Sequence, residues 1–112
     1  MRLKQLTRRS RQVPTSRFFR PEIVRISGEL RLANRQTELA ETAFREALAI
    51  ARSIGAKAYE LRATMSLARL LASQGHRDEA RAMLADIYNW FTEGFDTADL
   101  KDAKSLLEEL SA

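Results

Sequence analysis

Glu38-Leu-Ala-Glu-Thr-Ala-Phe-Arg-Glu-Ala-Leu-Ala-Ile-Ala-Arg-Ser-Ile-Gly55 is the stretch on which the fold turns. Ala40, Ala43, Phe44, Ala47, Ala51 and Ile54 recur at three- and four-residue steps, so they fall on one stripe of an α-helix. Alanine is the strongest helix former, no proline interrupts the run, and Gly55 is suited to the left-handed conformation that ends a helix. The alternation of sizes says more than the stripe does. Ala40 and Ala47 allow a neighbouring helix to come close, and Phe44 fills the space between them. Such a helix requires antiparallel neighbours on both sides.

The flanking sequence supplies them. Pro21 suits the first turn of a helix, and Ile23, Val24, Ile26, Leu30, Leu32 and Ala33 carry that helix to about Asn34. Thr37 is placed to cap the next one, which leaves a turn short enough to force an antiparallel hairpin. Ala58–Ser73 forms a third helix with Tyr59, Leu61, Met65, Ala68, Leu71 and Ala72 partly buried, ended by Gly75. A fourth starts at Arg77 or Asp78, with Ala80, Met83, Leu84, Ile87, Tyr88 and Phe91 as its apolar stripe and Gly94 as its stop. Asp96 or Thr97 caps a fifth, lined by Leu100, Ala103, Leu107 and Leu110. Trp90, beside Phe91 and Phe95, is expected to pack against that last helix.

Composition agrees with an all-α chain. Among 112 residues there are four glycines, two prolines and no cysteine, which removes disulfides and thiolate metal sites. No apolar run approaches the roughly 20 residues of a membrane span, and the absence of cysteine fits a cytoplasmic setting. The net charge of +4 is unevenly spread. Residues 1–20 hold Arg2, Lys4, Arg8, Arg9, Arg11, Arg17 and Arg20 with no acid, leaving 12 basic and 15 acidic side chains elsewhere. The expected organisation is therefore a basic, partly disordered tail over 1–20 and a helical domain over 21–112. Phe18 and Phe19 are expected to cover the first helix. The tail offers one alternative function, nucleic-acid binding through phosphate contacts. Against it, no aromatic residue is interleaved there to stack on bases.

An internal repeat emerges when the helices are paired. Gly28, Ala40, Phe44 and Ala47 stand at the same offsets as Ala68, Ala80, Leu84 and Ile87, each pair 40 residues apart. Leu30 likewise matches Leu70, and Glu38 matches Asp78. Small residues recur where the two helices of a hairpin cross.

That pattern resembles the tetratricopeptide repeat, in which a small residue of the first helix is followed by alanine, a large residue and alanine in the second. Gly28, Ala40, Phe44 and Ala47 match all four positions. Ala68 and Ala80 match in the second unit, where Leu84 and Ile87 are larger than the pattern. The resemblance implies a tetratricopeptide-like α-solenoid of two helical hairpins with a C-terminal capping helix. Two blocks narrow it: residues 51–70, from Ala51-Arg-Ser-Ile-Gly to Ser-Leu-Ala-Arg-Leu70, and residues 88–104, from Tyr88-Asn-Trp-Phe to Asp-Ala-Lys104. Both are similar to the C-terminal repeat region of bacterial signalling regulators that carry an ATPase module, often with a class III adenylate or guanylate cyclase domain or a DNA-binding domain. The resemblance implies a protein–protein interaction segment of a signalling or transcription-regulatory system. It implies no catalysis, since the Gly-rich loop followed by Lys-Ser/Thr is absent.

The search for chemistry gives little else. His76 is the only histidine, set in a turn, and a lone histidine builds neither a zinc site nor a catalytic pair. Asp96, Asp99 and Asp102 cluster near a helix start, where the first two suit the positive end of the dipole, and the set lacks the ligands and glycine of a calcium loop. No cofactor is expected. Two surfaces remain. By the repeat match, Arg25, Glu29, Arg62, Met65 and Arg69 face outward from the first helices of the hairpins, a concave face that could seat an acidic, partly apolar peptide. The carboxylate-clamping Lys and Asn arrangement of some repeat proteins is missing, with Glu29 in the way. Ile23, Ile26 and Leu30 form an apolar strip with only Phe18, Phe19 and the tail to cover it. That strip is expected to dock an upstream repeat of a longer parent or a second copy of the chain.

Overall fold

The computed structural model describes residues 14–112, with side chains from residue 18 onward. Among these residues there are five α-helices and no strand: α1 (Pro14–Ala33), α2 (Thr37–Ser53), α3 (Lys57–Ser73), α4 (Arg77–Tyr88) and α5 (Ala98–Ser111). The all-α expectation holds. Most of the basic tail, with Arg2, Lys4, Arg8, Arg9 and Arg11, lies outside the described residues, and so does the nucleic-acid reading built on it.

The first helix departs from expectation at its start. Residues 14–20, assigned to the tail, are helical, and Pro21 stands inside α1 instead of opening it. An interior proline removes one helical hydrogen bond and costs about 3 kcal/mol in an isolated helix. Tertiary contacts offset it here. The Pro21 ring is fully buried. One turn earlier, the rings of Phe18 and Phe19 lie 5.9 and 6.4 Å from that of Tyr59 on α3. The two phenylalanines thus belong to α1 and cover the start of α3.

Three consecutive turns are built alike. Arg35, Gly55 and Gly75 all have positive φ, at 64°, 69° and 88°. After each, the next N–H reaches back five residues: Gln36 to the carbonyl of Arg31 (2.8 Å), Ala56 to that of Ala51 (2.9 Å) and His76 to that of Leu71 (2.8 Å). This six-to-one bond satisfies a carbonyl that the helix end would leave unpaired. Glycine adopts the conformation freely, whereas Arg35 does so against the clash of its Cβ.

Gln36, not Thr37, is the N-cap of α2, and it makes no side-chain cap bond. At α5 the hydroxyl of Thr97 does cap, accepting from the N–H of Leu100 at 3.4 Å. α4 stops at Tyr88, before Gly94, because the chain tightens there. Trp90 N–H bonds the carbonyl of Ile87 and Phe91 N–H that of Tyr88, both at 3.1 Å. Trp90 consequently stays exposed instead of packing on α5. Its ring meets Phe91 at 5.1 Å, with the Lys57 ammonium 5.3 Å from its centroid.

The core is one cluster of buried side chains from α2 to α5, with Val24 and Leu32 of α1 packed partly buried against it. Ala40, Phe44, Ala47 and Leu48 from α2 meet Leu61, Leu67, Ala68 and Leu71 from α3, Ala80 and Leu84 from α4, and Leu100, Ala103, Leu106 and Leu110 from α5. In the last helix Leu106, in place of the expected Leu107, is buried with Leu100 and Leu110, and Leu107 is half-buried. α1 packs on α2 and α3, α4 packs on α5, and α3 touches all four of the others. α3 is accordingly buried on nearly every side, including Glu60, Thr64 and Ser66. The hairpin crossing is tight at Gly28. A Cβ built there would lie 2.6 Å from Phe44 Cε1 and 3.1 Å from the Cβ of Ala43. The small residue expected at this crossing is one that the packing requires.

Candidate functional site

One side of α1 and α3 carries a web of charged groups. Arg25 donates through Nε and Nη2 to both carboxylate oxygens of Glu22, at 2.9 and 2.8 Å. Its Nη1 donates to the hydroxyl of Ser66 on α3 at 3.2 Å, and that hydroxyl donates to Glu29 at 2.7 Å. Arg62, also on α3, donates from Nη1 to Glu22 at 3.0 Å and from Nε to Asp99 of α5 at 2.9 Å. Helical periodicity explains the clustering, since Glu22, Arg25 and Glu29 are three and four residues apart and share one face of α1.

The electrostatics are settled inside this web. Hydrogen bonds from Arg25, and the charges of Arg25 and Arg62, hold the Glu22 carboxyl below the usual carboxylate value, partly opposed by burial. The bond to Glu22 pushes the Arg25 guanidinium up, and the bond to Asp99 does the same for Arg62. Three carboxylates surround two guanidinia. The arginines expected to attract an acidic peptide are thereby already neutralised by the chain's own acids.

The rest of the expected concave face divides. Met65 is a correction: it is only 6% exposed and belongs to the core, because α3 is enclosed by helices on that side as well. Arg69 is exposed and joins no ion pair among the described residues. It borders a separate depression of about 480 Å³ formed with Ala72, Arg77, Leu106, Glu109 and Leu110. Sequence reasoning missed Glu22, Ser66 and Asp99 as the partners of Arg25 and Arg62. Asp99 lies in the first turn of α5, as expected, and nothing in its spacing tells that it also reaches across to α3. His76 is exposed in its turn, 3.9 Å from Glu79.

The other face of α1 is different in kind. Ile23, Ile26 and Leu30 are 61%, 46% and 63% exposed. Phe19 continues the same row towards the helix start and Leu39 of α2 flanks it, both exposed as well. Between α1 and α2 the surface dips into a groove of about 380 Å³ lined by Ile23, Val24, Ser27, Arg31, Leu39 and Glu46, among others. The internal repeat gives this strip a comparator. Forty residues on, Ala63, Ser66 and Leu70 occupy the equivalent positions of α3, and they are 0%, 3% and 3% exposed beneath the preceding hairpin. Among the described residues, α1 therefore presents uncovered the face that α3 buries.

Among the described residues no helix is long and apolar enough to cross a membrane, and no group of three or more acidic or histidine side chains could hold a metal ion. No family model matches the chain, and neither a curated protein nor a solved structure is significantly similar to it.

Proposed function

We propose that this chain is a non-catalytic protein–protein interaction module of tetratricopeptide type, in which α1–α2 and α3–α4 are successive hairpins and α5 is the cap. Its working surface is the uncovered face of α1. The observation that carries this is the exposure of Ile23, Ile26 and Leu30 set against the burial of their counterparts Ala63, Ser66 and Leu70. A surface helix ordinarily turns charged residues to solvent opposite its buried stripe. α1 is apolar on both sides, with Pro21 and Gly28 buried on one and three large aliphatic side chains open on the other. A contiguous apolar strip of this kind marks a place where another protein sits. The self-neutralised cluster around Arg25 and Arg62 contributes to the join between α1, α3 and α5, not to ligand capture. The resemblance of residues 51–70 and 88–104 to the C-terminal region of bacterial ATPase and cyclase-type regulators supports a signalling role in the cytoplasm, as a regulatory piece without cyclase or ATPase activity of its own.

Site-specific photocrosslinking in cells tests this. A photoreactive phenylalanine analogue at Ile26 or Leu30 is expected to trap a protein adduct, while the same group at Glu108 on the polar side of α5 traps none. Absence of adducts at α1, or equal yields at all three positions, would refute the assignment.

A further inference from the structure

The exposed row on α1 has a spacing that can be tested for self-complementarity. Phe19, Ile23, Ile26 and Leu30 follow steps of four, three and four residues, and all four are exposed. This is the spacing of an a/d seam by which helices pack side by side; here Ile23, Ile26 and Leu30 face solvent, and Phe19, also exposed, leans one side of its ring on Tyr59 of α3. The order four, three, four reads the same from either end. A two-fold axis passing between Ile23 and Ile26 would set Ile23 opposite the partner's Ile26, and Phe19 opposite the partner's Leu30. An isologous interface has this property, in which residue i meets j and j meets i.

The flanking charges have a matching arrangement. Along the α1–α2 groove, Glu46 pairs with Arg20 towards the start of α1, and Arg31 and Leu39 flank the turn where α1 ends and α2 begins. Glu46 is half-exposed and held by a single contact at 3.4 Å, from the exposed Arg20. Arg31 makes no ion pair among the described residues. Reversal about the axis brings Arg31 of each copy to the end of the other where Glu46 lies, half-exposed and shared with Arg20. On the opposite flank Glu22 and Glu29 are occupied by Arg25, Arg62 and Ser66, so they bring no unpaired carboxylate to a second copy.

We infer that the occupant of this face is a second copy of the same chain, docked through an antiparallel α1–α1 seam with Phe19 against the partner's Leu30 and Ile23 against the partner's Ile26. This deepens the proposed function and rests on α1 being a docking helix.

Sedimentation velocity of the full chain over a wide concentration range is the first measurement. The mass is expected to rise from 12.8 kDa towards twice that value. Ile26→Lys, at a position already open to solvent, is expected to keep the helical circular dichroism and abolish the rise. Arg31→Glu and Glu46→Arg each weaken association, and the double variant recovers most of it. Cysteine crosslinking then reads the register, and the chain has no cysteine of its own to interfere. A disulfide needs Cα atoms within about 4.4–6.8 Å. In the antiparallel seam the two copies of residue 19 lie roughly 16 Å apart along the axis, at ~1.5 Å per residue. Phe19→Cys mixed with Leu30→Cys is therefore expected to crosslink under mild oxidation, and Phe19→Cys alone is not. A chain that stays monomeric at every concentration, or a Phe19→Cys variant that crosslinks chiefly to itself, overturns the inference. A monomer whose Ile26 position still traps a different protein in cells overturns the dimer while leaving the docking role of α1 intact.

Discussion

Replacing Gly28 by alanine is a small change with an expected cost that can be worked from the crossing of α1 and α2. The added Cβ would stand 2.6 Å from Cε1 and 2.8 Å from Cδ1 of Phe44, and 3.1 Å from the Cβ of Ala43. Carbon atoms prefer about 3.5–4.0 Å, so the shortfall is close to an ångström on a fully buried ring that has no free space to enter. Overpacking of this kind costs about 1–3 kcal/mol. Alanine returns about 1 kcal/mol through its higher helix propensity, leaving a net loss on the order of 1 kcal/mol. For a chain of this size that lowers Tm by roughly 4 °C or more. The second hairpin offers the compensating change, since it holds Ala68 and Leu84, both fully buried, at the offsets of Gly28 and Phe44. Phe44→Leu alone leaves a cavity and destabilises. The double variant Gly28→Ala/Phe44→Leu is expected to be more stable than the sum of the single losses, with a coupling on the order of 1 kcal/mol. Urea denaturation followed by circular dichroism gives all four corners of the cycle. Gly28→Ala at wild-type stability, or strict additivity, would show that Gly28 is not where the ring sets the distance between the helices.

Four further outcomes follow from other sites. Ala40→Leu, at a fully buried position, should cost about 1–3 kcal/mol by overpacking, while Ala49→Leu on the exposed side of α2 should leave the melting temperature nearly unchanged. Arg35→Gly relieves a left-handed conformation that costs an L-residue about 1–2 kcal/mol, partly offset by the freer unfolded chain, so the urea midpoint should rise. Thr64 is buried with its hydroxyl unpartnered, and Thr64→Val should be neutral or stabilising by up to about 1 kcal/mol in the same assay. Glu22 titrates in the folded chain below its ordinary value of 4.5, so the unfolded chain binds the proton first as the pH falls. The Glu22 contribution is complete above that ordinary value and is lost as the pH drops through the folded one. Stability measured from neutral pH downward should fall in that window, and in Glu22→Gln that part of the fall should be missing.

The helices were legible because their signal is local. The stripe from Ala40 to Ala51 in α2 is buried as its period requires, and Gly55 and Gly75 end the helices they follow. What periodicity could not carry was the angular position of each face relative to more than one neighbour. Met65 sits beside Arg62 and Arg69 on α3, and only the enclosure of α3 by four helices decides that it is core. The start of α1 escaped for a related reason. A proline at position 21 argues locally for a helix beginning, and the contact of Phe18 and Phe19 with Tyr59 that outweighs it is a tertiary fact. The charged web was half legible. The spacing of Glu22, Arg25 and Glu29 placed them together, but the reach of Arg62 to Asp99 spans 37 residues. The strip of Ile23, Ile26 and Leu30 was readable because its three- and four-residue spacing puts three large aliphatic side chains on one face of α1.

The central place of α3 has a consequence for how the chain opens. With α3 removed, the substantial packing left is α1 on α2 and α4 on α5, two pairs with no substantial packing between them. Loss of α1 or α5 removes only one side of α3. Unfolding should therefore begin at the two ends of the stack and reach the middle last. In native-state hydrogen exchange the amides of Leu61 to Leu71 should exchange only with global unfolding, while those of α5 and the first turns of α1 exchange through smaller openings. The contacts that enforce this order join helices near in sequence, which favours fast folding. A face left uncovered on α1 would then sit on one of the loosest parts of the molecule, and whatever docks there would tighten the end that otherwise opens first.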